Sequence, residues 1–153
     1  MRRKSLADAP CPLARGLDEV GEWWSILILR DAFRGLTRFD EFQRSIGIAT
    51  NILTRRLQTL VDAGLLERRP YQDRPVRYEY RLTDKGRDFL PVVVTLADWG
   101  RRWVLPEGAF RFVSTETGRT VEPALIDRNT GAPITAGSIR TEFPNQKDSG
   151  EEP

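Results

Sequence analysis

Apolar positions in the first hundred residues recur at helical spacing in four stretches, then alternate, then recur again. Leu13, Leu17 and Val20 predict an amphipathic helix over 12–20, broken by Gly21. In "EWWSILILRDAF", Trp23, Ile26, Leu27 and Arg30 share one face, and Trp24, Ile28 and Asp31 share another. That pattern predicts a second helix buried on most sides and ended by Gly35. "TRFDEFQRSI" sets Phe39, Phe42 and Ile46 at helical spacing, with Asp40 and Glu41 as the acids of an ordinary helix start. A short "GIAT" link leads to a helix over 50–63. There Leu53, Leu57, Leu60 and Val61 line one side, Thr50 is the expected N-cap and Gly64 the stop.

The period then changes to two. In "VRYEYRLT", Val76, Tyr78, Tyr80 and Leu82 alternate with Arg77, Glu79, Arg81 and Thr83, which predicts a strand with one buried face. Its partner is "LLERRPY", joined to it through "QDRP" with Asp73, Arg74 and Pro75 at the hairpin tip. Thr83 is expected to cap a last helix running to about Trp103, kinked or broken at Pro91. The apolar residues of that helix (Phe89, Leu90, Val93, Leu96, Ala97, Gly100 and Trp103) exceed what one small core uses. From Pro106 onward short strands with turns at "ETGR" and "NTG" are expected.

The predicted fold is mainly α with a small β-hairpin wing (α+β): a winged helix-turn-helix with a short C-terminal β-hairpin extension. The expected organisation is a flexible basic arm over 1–10 and a winged helix-turn-helix domain over 11–104. A small β extension over 105–138 and a disordered acidic tail over 139–153 complete it.

The helix over 50–63 turns Asn51, Thr54, Arg55 and Gln58 outward, and Asp62 is its one acid. A helix that only faces water usually mixes both signs of charge. In a helix-turn-helix the second helix enters the major groove, about 12 Å wide, with its N-terminal residues against base edges. Arginine pairs with guanine there, and asparagine or glutamine with adenine. Thr50, Asn51, Thr54, Arg55 and Gln58 are therefore the expected DNA contacts on this helix. Arg68, Arg69, Arg74 and Arg77 of the hairpin are expected at phosphates or the neighbouring minor groove. The plain alternative is a solvated helix followed by a solvated hairpin.

Composition narrows the chemistry. The chain has 153 residues, 39% apolar and 30% charged, as in a soluble globular domain. Net charge is +2 but uneven: 19 basic against 14 acidic residues up to 104, and 5 against 8 beyond. A basic body suits a polyanionic partner. With no histidine and one cysteine, a His-dependent triad, a zinc site, most imidazole acid–base catalysis and an internal disulfide are all unavailable. No carboxylate grouping points to an enzyme, and no cofactor or metal is expected. The longest apolar run, "WWSILIL", is too short to span a bilayer and no leader is visible, so a cytoplasmic location is expected. A winged helix used only for protein contacts is a rival reading; it would favour apolar residues where Asn51, Thr54, Arg55 and Gln58 stand.

Residues 11–94 resemble the HxlR-type winged helix-turn-helix regulators of bacteria. The resemblance rests on the Cys11-Pro12 start, "WSILILRD", "RFDEF", "LTRRLQTLVDAGL" and "YRLTDKG", in order and at matching spacing. It implies a homodimeric DNA-binding transcription factor, a repressor by expectation, with its first and last helices at the dimer interface. Here those helices would supply Leu13, Leu17, Val93, Leu96, Trp99 and Trp103. A symmetric dimer sets two recognition helices roughly 34 Å apart, which implies a near-palindromic operator. Relatives usually cap the recognition helix with serine, where this chain has Ala49. Cys11 occupies the place of a thiol sensor of oxidants or electrophiles, its reactivity favoured by a helix N-terminus and Arg15; the alternative is a buried cysteine acting as a small hydrophobe. Trp23, Trp24, Trp99 and Trp103 could line a pocket for an apolar effector or belong to the core. Some relatives end in a zinc-ribbon hairpin with paired "C-x-x-C-G" turns. Here "STETG" and "DRNTG" hold no cysteine, which implies a metal-free version.

Overall fold

The computed structural model describes residues 6, 8–107 and 110–142. The expectations for an arm and a disordered tail fall largely outside those residues. Two compact units divide the chain, Met1–Gly108 and Ala109–Pro153.

The first unit runs α1 (Pro12–Val20), α2 (Trp23–Phe33), α3 (Phe39–Ile46), α4 (Thr50–Asp62), β1 (Leu66–Asp73), β2 (Val76–Leu82), α5 (Asp84–Asp88) and α6 (Leu90–Trp103). Six helices and one antiparallel hairpin make up this unit in the predicted order, the predicted last helix being divided at Phe89 into α5 and α6, with Pro91 in the first turn of α6. Proline is tolerated there because the first amides of a helix have no internal partner. The core gathers Ile28 and Leu29 of α2, Phe42 of α3, Leu53, Leu57 and Leu60 of α4, and Leu65 and Leu66 at the base of the hairpin. α2 packs against α3, α4, α6 and β2, the central position its apolar sequence predicts.

Two local devices fix the wing. Tyr80 donates its amide to the Thr37 carbonyl at 2.7 Å, and Arg38 bridges Glu79, so β2 is pinned to the segment entering α3. At the other edge, Thr83 Oγ1 donates to the Gly64 carbonyl at 2.5 Å and accepts the Gly86 amide at 3.0 Å. A Cβ at Gly86 would stand 2.1 Å from the Leu65 carbonyl oxygen, a backbone atom that has nowhere to go. The Thr-x-x-Gly of the sequence is therefore one packing device: a cap, and a missing side chain.

The second unit corrects an expectation. Among the described residues it holds no regular strand. It is built on two turns closed by the isolated bridges Val113–Thr120 and Ile126–Pro133. The turns repeat with a period of thirteen residues. Gly118 and Gly131 donate to the Ser114 and Asp127 carbonyls, and Ser114 and Asp127 donate to those of Arg119 and Ala132. Ser114 Oγ accepts the Glu116 and Thr117 amides, and Asp127 Oδ1 accepts that of Asn129. Both glycines have left-handed φ, +68° and +72°, which side chains rarely adopt. Side-chain oxygens thus satisfy the turn amides. The Asp127 carboxyl is held below its usual range by the Asn129 amide and the Thr130 hydroxyl. Among the described residues no group of side chains is arranged to hold a metal ion.

Candidate nucleic-acid interface

α4 is held by one face and shows the other. Leu53, Leu57 and Leu60 are fully buried, while Thr50, Asn51, Thr54, Arg55 and Gln58 are all exposed. Thr50 is not the N-cap. Ala49, in extended conformation, takes that place without a side-chain bond, and Thr50 is the first helical residue. Ile48, just before Ala49, is buried. Thr50 Oγ1 instead accepts from Gln43 Nε2 at 2.8 Å, which joins the end of α3 to the start of α4. Thr54 Oγ1 turns back onto the Thr50 carbonyl at 2.9 Å, Asn51 Oδ1 accepts the Ile52 amide and Gln58 donates to Asp62 at 2.7 Å. Arg55 has no carboxylate within ion-pair distance among the described residues.

The helix before it is organised for the same purpose. Glu41 Oε2 accepts the amides of both Thr37 and Arg38 at 2.9 Å. The Arg38 amide, then that of Thr37, hold the Glu41 carboxyl below its usual range. Asp31 is wholly buried, yet its Oδ1 receives Arg30 and Arg34 at 2.9 Å, and Arg34 reaches on to Ser45 at 3.3 Å. The "RD" of α2 therefore braces α3, not a surface.

The four wing arginines do not form one surface. Register pairs Arg68 with Tyr80 and Arg69 with Glu79, so the two arginines point to opposite faces of the hairpin. Arg69 is occupied by Glu67 at 2.7 Å, within a checkerboard that includes Glu79 and Arg81 at 2.8 Å. Arg68 lies over the Tyr78 ring, 4.3 Å from its centroid. Arg74 and Arg77 near the tip are exposed and carry no acidic partner among the described residues. A bulge at Tyr71, beside a proline that has no amide to offer the ladder, lengthens β1 to Asp73 and leaves Arg74 and Pro75 as the turn. Arg38 lies over the Tyr71 ring at 4.6 Å, a stacking the sequence reading missed. The strand face expected to be buried is only half-buried, and only near the base, at Tyr80 and Leu82; Val76 and Tyr78 are exposed.

This arrangement, a buried-faced α3–α4 pair followed by a projecting hairpin, matches known proteins closely. The family described as HxlR-like helix-turn-helix matches residues 19–108, more than half the chain. The protein belongs to that family. It is a helix-turn-helix transcriptional regulator of the DNA-binding kind. Among HxlR-like relatives, the uncharacterised HTH-type transcriptional regulator Rv3095 of Mycobacterium tuberculosis is 41% identical over 132 residues, covering 85% of this chain and 84% of that one. The crystal structure of PA1607, a candidate transcription factor, superposes with a TM-score of 0.80 at 41% identity, over 90% of this chain and 97% of its own. The redox regulator HypR in its reduced form gives a TM-score of 0.57 at 33% identity, over 64% of this chain and all of its own.

The remaining expected HxlR-like sites are unequally placed. Leu13, Leu17, Leu96, Trp99 and Trp103 are exposed apolar side chains. Val93 is not: only 4% of it reaches solvent, so it belongs to its own chain's interior. Cys11 is a half-buried free cysteine preceding Pro12 at the start of α1, and Arg15 turns its Nε to the Ala9 carbonyl at 2.6 Å. Of the four tryptophans, Trp23, Trp99 and Trp103 are exposed, and Trp24 packs edge-on to Trp23 and against the core. No helix is long and apolar enough to cross a membrane among the described residues.

Proposed function

We propose that this regulator acts as a homodimer on a near-palindromic operator, reading base edges with α4 and gripping the flanking backbone with the tip of the wing. The observation that carries the reading is the outer face of α4. Asn51, Thr54, Arg55 and Gln58 stand exposed together, and Arg55 has no acid to neutralise it among the described residues. Arg55 is assigned to a guanine, and Arg74 and Arg77 to phosphates; Arg68 and Arg69 are secondary. Exposed Leu13, Leu17, Leu96, Trp99 and Trp103 support pairing through α1 and α6. Repression is the expected outcome at a promoter, and the likeness to HypR supports Cys11 as the thiol through which oxidants or electrophiles act on binding.

The test is binding to the protein's own promoter-region DNA across a salt series, with Arg55→Ala beside the wild type. Tight binding with a steep negative salt slope is expected. Arg55→Ala should lose about 1–3 kcal/mol on the operator and little on random DNA. Weak wild-type binding, equal on random DNA, would reject the operator reading.

A further inference from the structure

One arginine of α4 is turned largely away from solvent. Arg56 falls at helical spacing with Leu53, Leu57 and Leu60, and its side chain is only 12% exposed. Its Nη2 lies 2.6 Å from Glu22 Oε2. Glu22 is the N-cap of α2 and follows Gly21, whose φ of +81° makes the sharp exit from α1. The hydroxyl of Ser25, fully buried, and the Nε of Arg56 have no hydrogen-bond partner among the described residues, and both side chains lie beside Gly21. A second tie runs parallel. Lys85 pairs with Glu19 in the last turn of α1 and donates to the carbonyl of Ala63, the C-cap of α4, at 2.8 Å. Glu19 and Glu22 bracket the α1–α2 junction, so that junction is tied to the recognition helix both at mid-length and at its end.

The geometry points to Arg56 as a positioning residue for operator reading. Through Glu22 it sets how α4 stands on the α1–α2 junction, with the Glu19–Lys85–Ala63 tie as its companion, so that operator affinity depends on residues that never touch DNA. The physical ground is direction and burial. A charge-assisted hydrogen bond between an arginine and a carboxylate constrains how the two side chains meet, and a guanidinium this little exposed is costly to leave without its acid. Residues 51–58 share the rigid body of α4 with Arg56, so a tilt there displaces every base-facing side chain together. The same ties make α1 the element whose displacement reaches the recognition helix. This inference rests on the DNA-binding reading for its affinity arm only.

The experiment is a double-mutant cycle in the full chain: Glu22→Ala, Arg56→Met and the pair, with Arg55→Ala for comparison. Two readouts are taken well below the unfolding temperature. On the operator, each single variant should lose about tenfold or more, and the double variant no more than the worse single, with the salt slope unchanged. Arg55→Ala should add fully to either. A slope lowered by about one would make Arg56 a phosphate contact and overturn the inference, as would unchanged affinity or simple additivity of the pair. Without DNA, hydrogen exchange should quicken in α4 and at the α1–α2 junction while α2 stays protected; general loss of protection means a structural role and overturns it. If the wild type binds no DNA, the regulatory reading fails, and the exchange readout still decides the tie.

Discussion

At the scale of single residues, two of the interactions that hold the interface can be measured directly. Gly86→Ala drives a methyl group into the Leu65 carbonyl, 2.1 Å away, where only backbone can yield. We expect a loss of about 3 kcal/mol in urea unfolding, at the upper end of overpacking costs; a loss under about 1 kcal/mol would show that α5 shifts freely. Glu41→Ala removes the acceptor of the Thr37 and Arg38 amides and should cost about 1 kcal/mol at neutral pH, the usual size of a capping bond. Because folding lowers the Glu41 carboxyl, its contribution is complete above the ordinary glutamate range and disappears as pH falls through the lowered folded value. The two stability curves should converge in acid, and parallel curves would refute the assignment. Gly86 closes the "YRLTDKG" motif and Glu41 is one acid of an ordinary helix start, but neither signal discloses the contact that the residue makes. Arg56 was half legible. Its place in the Leu53–Leu57–Leu60 stripe marks an inward charge that needs a partner, but nothing local identifies a residue thirty-four positions earlier.

Elements show where periodicity serves and where it stops. Helical spacing found α2 to α4 because each buries residues on a common core, and α1 although Val20 alone of its apolar stripe is buried; alternation found the hairpin because its base joins that core. It misjudged the wing's outer half, since two strands projecting beyond the core have no buried face however regularly they alternate. The same alternation, followed strictly, separates Arg68 from Arg69, and the cross-strand acids decide which arginines remain uncompensated. The wing therefore makes a graded prediction. Arg77→Ala should weaken binding to all DNA sequences alike and lower the salt slope by about one. Arg69→Ala, whose charge Glu67 already offsets, should change the slope far less. Equal effects from the two would mean that the wing rearranges on DNA. The N-cap of α4 carries a related lesson: Thr50 has the residue type of a cap, but its hydroxyl accepts from Gln43 and Ala49 takes the cap position.

At the scale of the molecule, a surplus of apolar residues in the last helix was visible in the sequence, but not which of them are surplus. Packing of α6 on α2 takes Val93 inward and leaves Val92, Leu96, Trp99 and Trp103 as an uncovered stripe at helical spacing. Leu13 and Leu17 add a second, one turn apart on α1. Side chains this large and this closely spaced are seldom left to water on a chain that acts alone. A two-fold interface is the simplest cover for them, since one patch then serves both copies. The prediction separates burial within the chain from burial between chains. Leu96→Glu should leave each chain folded but shift it from dimer to monomer in sedimentation. Operator binding should then weaken by at least tenfold and depend steeply on protein concentration, because two half-sites are no longer held by one particle. Val93→Glu should instead unfold the first unit, since it puts a charge where no water reaches. If Leu96→Glu remained dimeric, or the wild type sedimented as a monomer, the stripe would have another purpose and each recognition helix would bind its site alone.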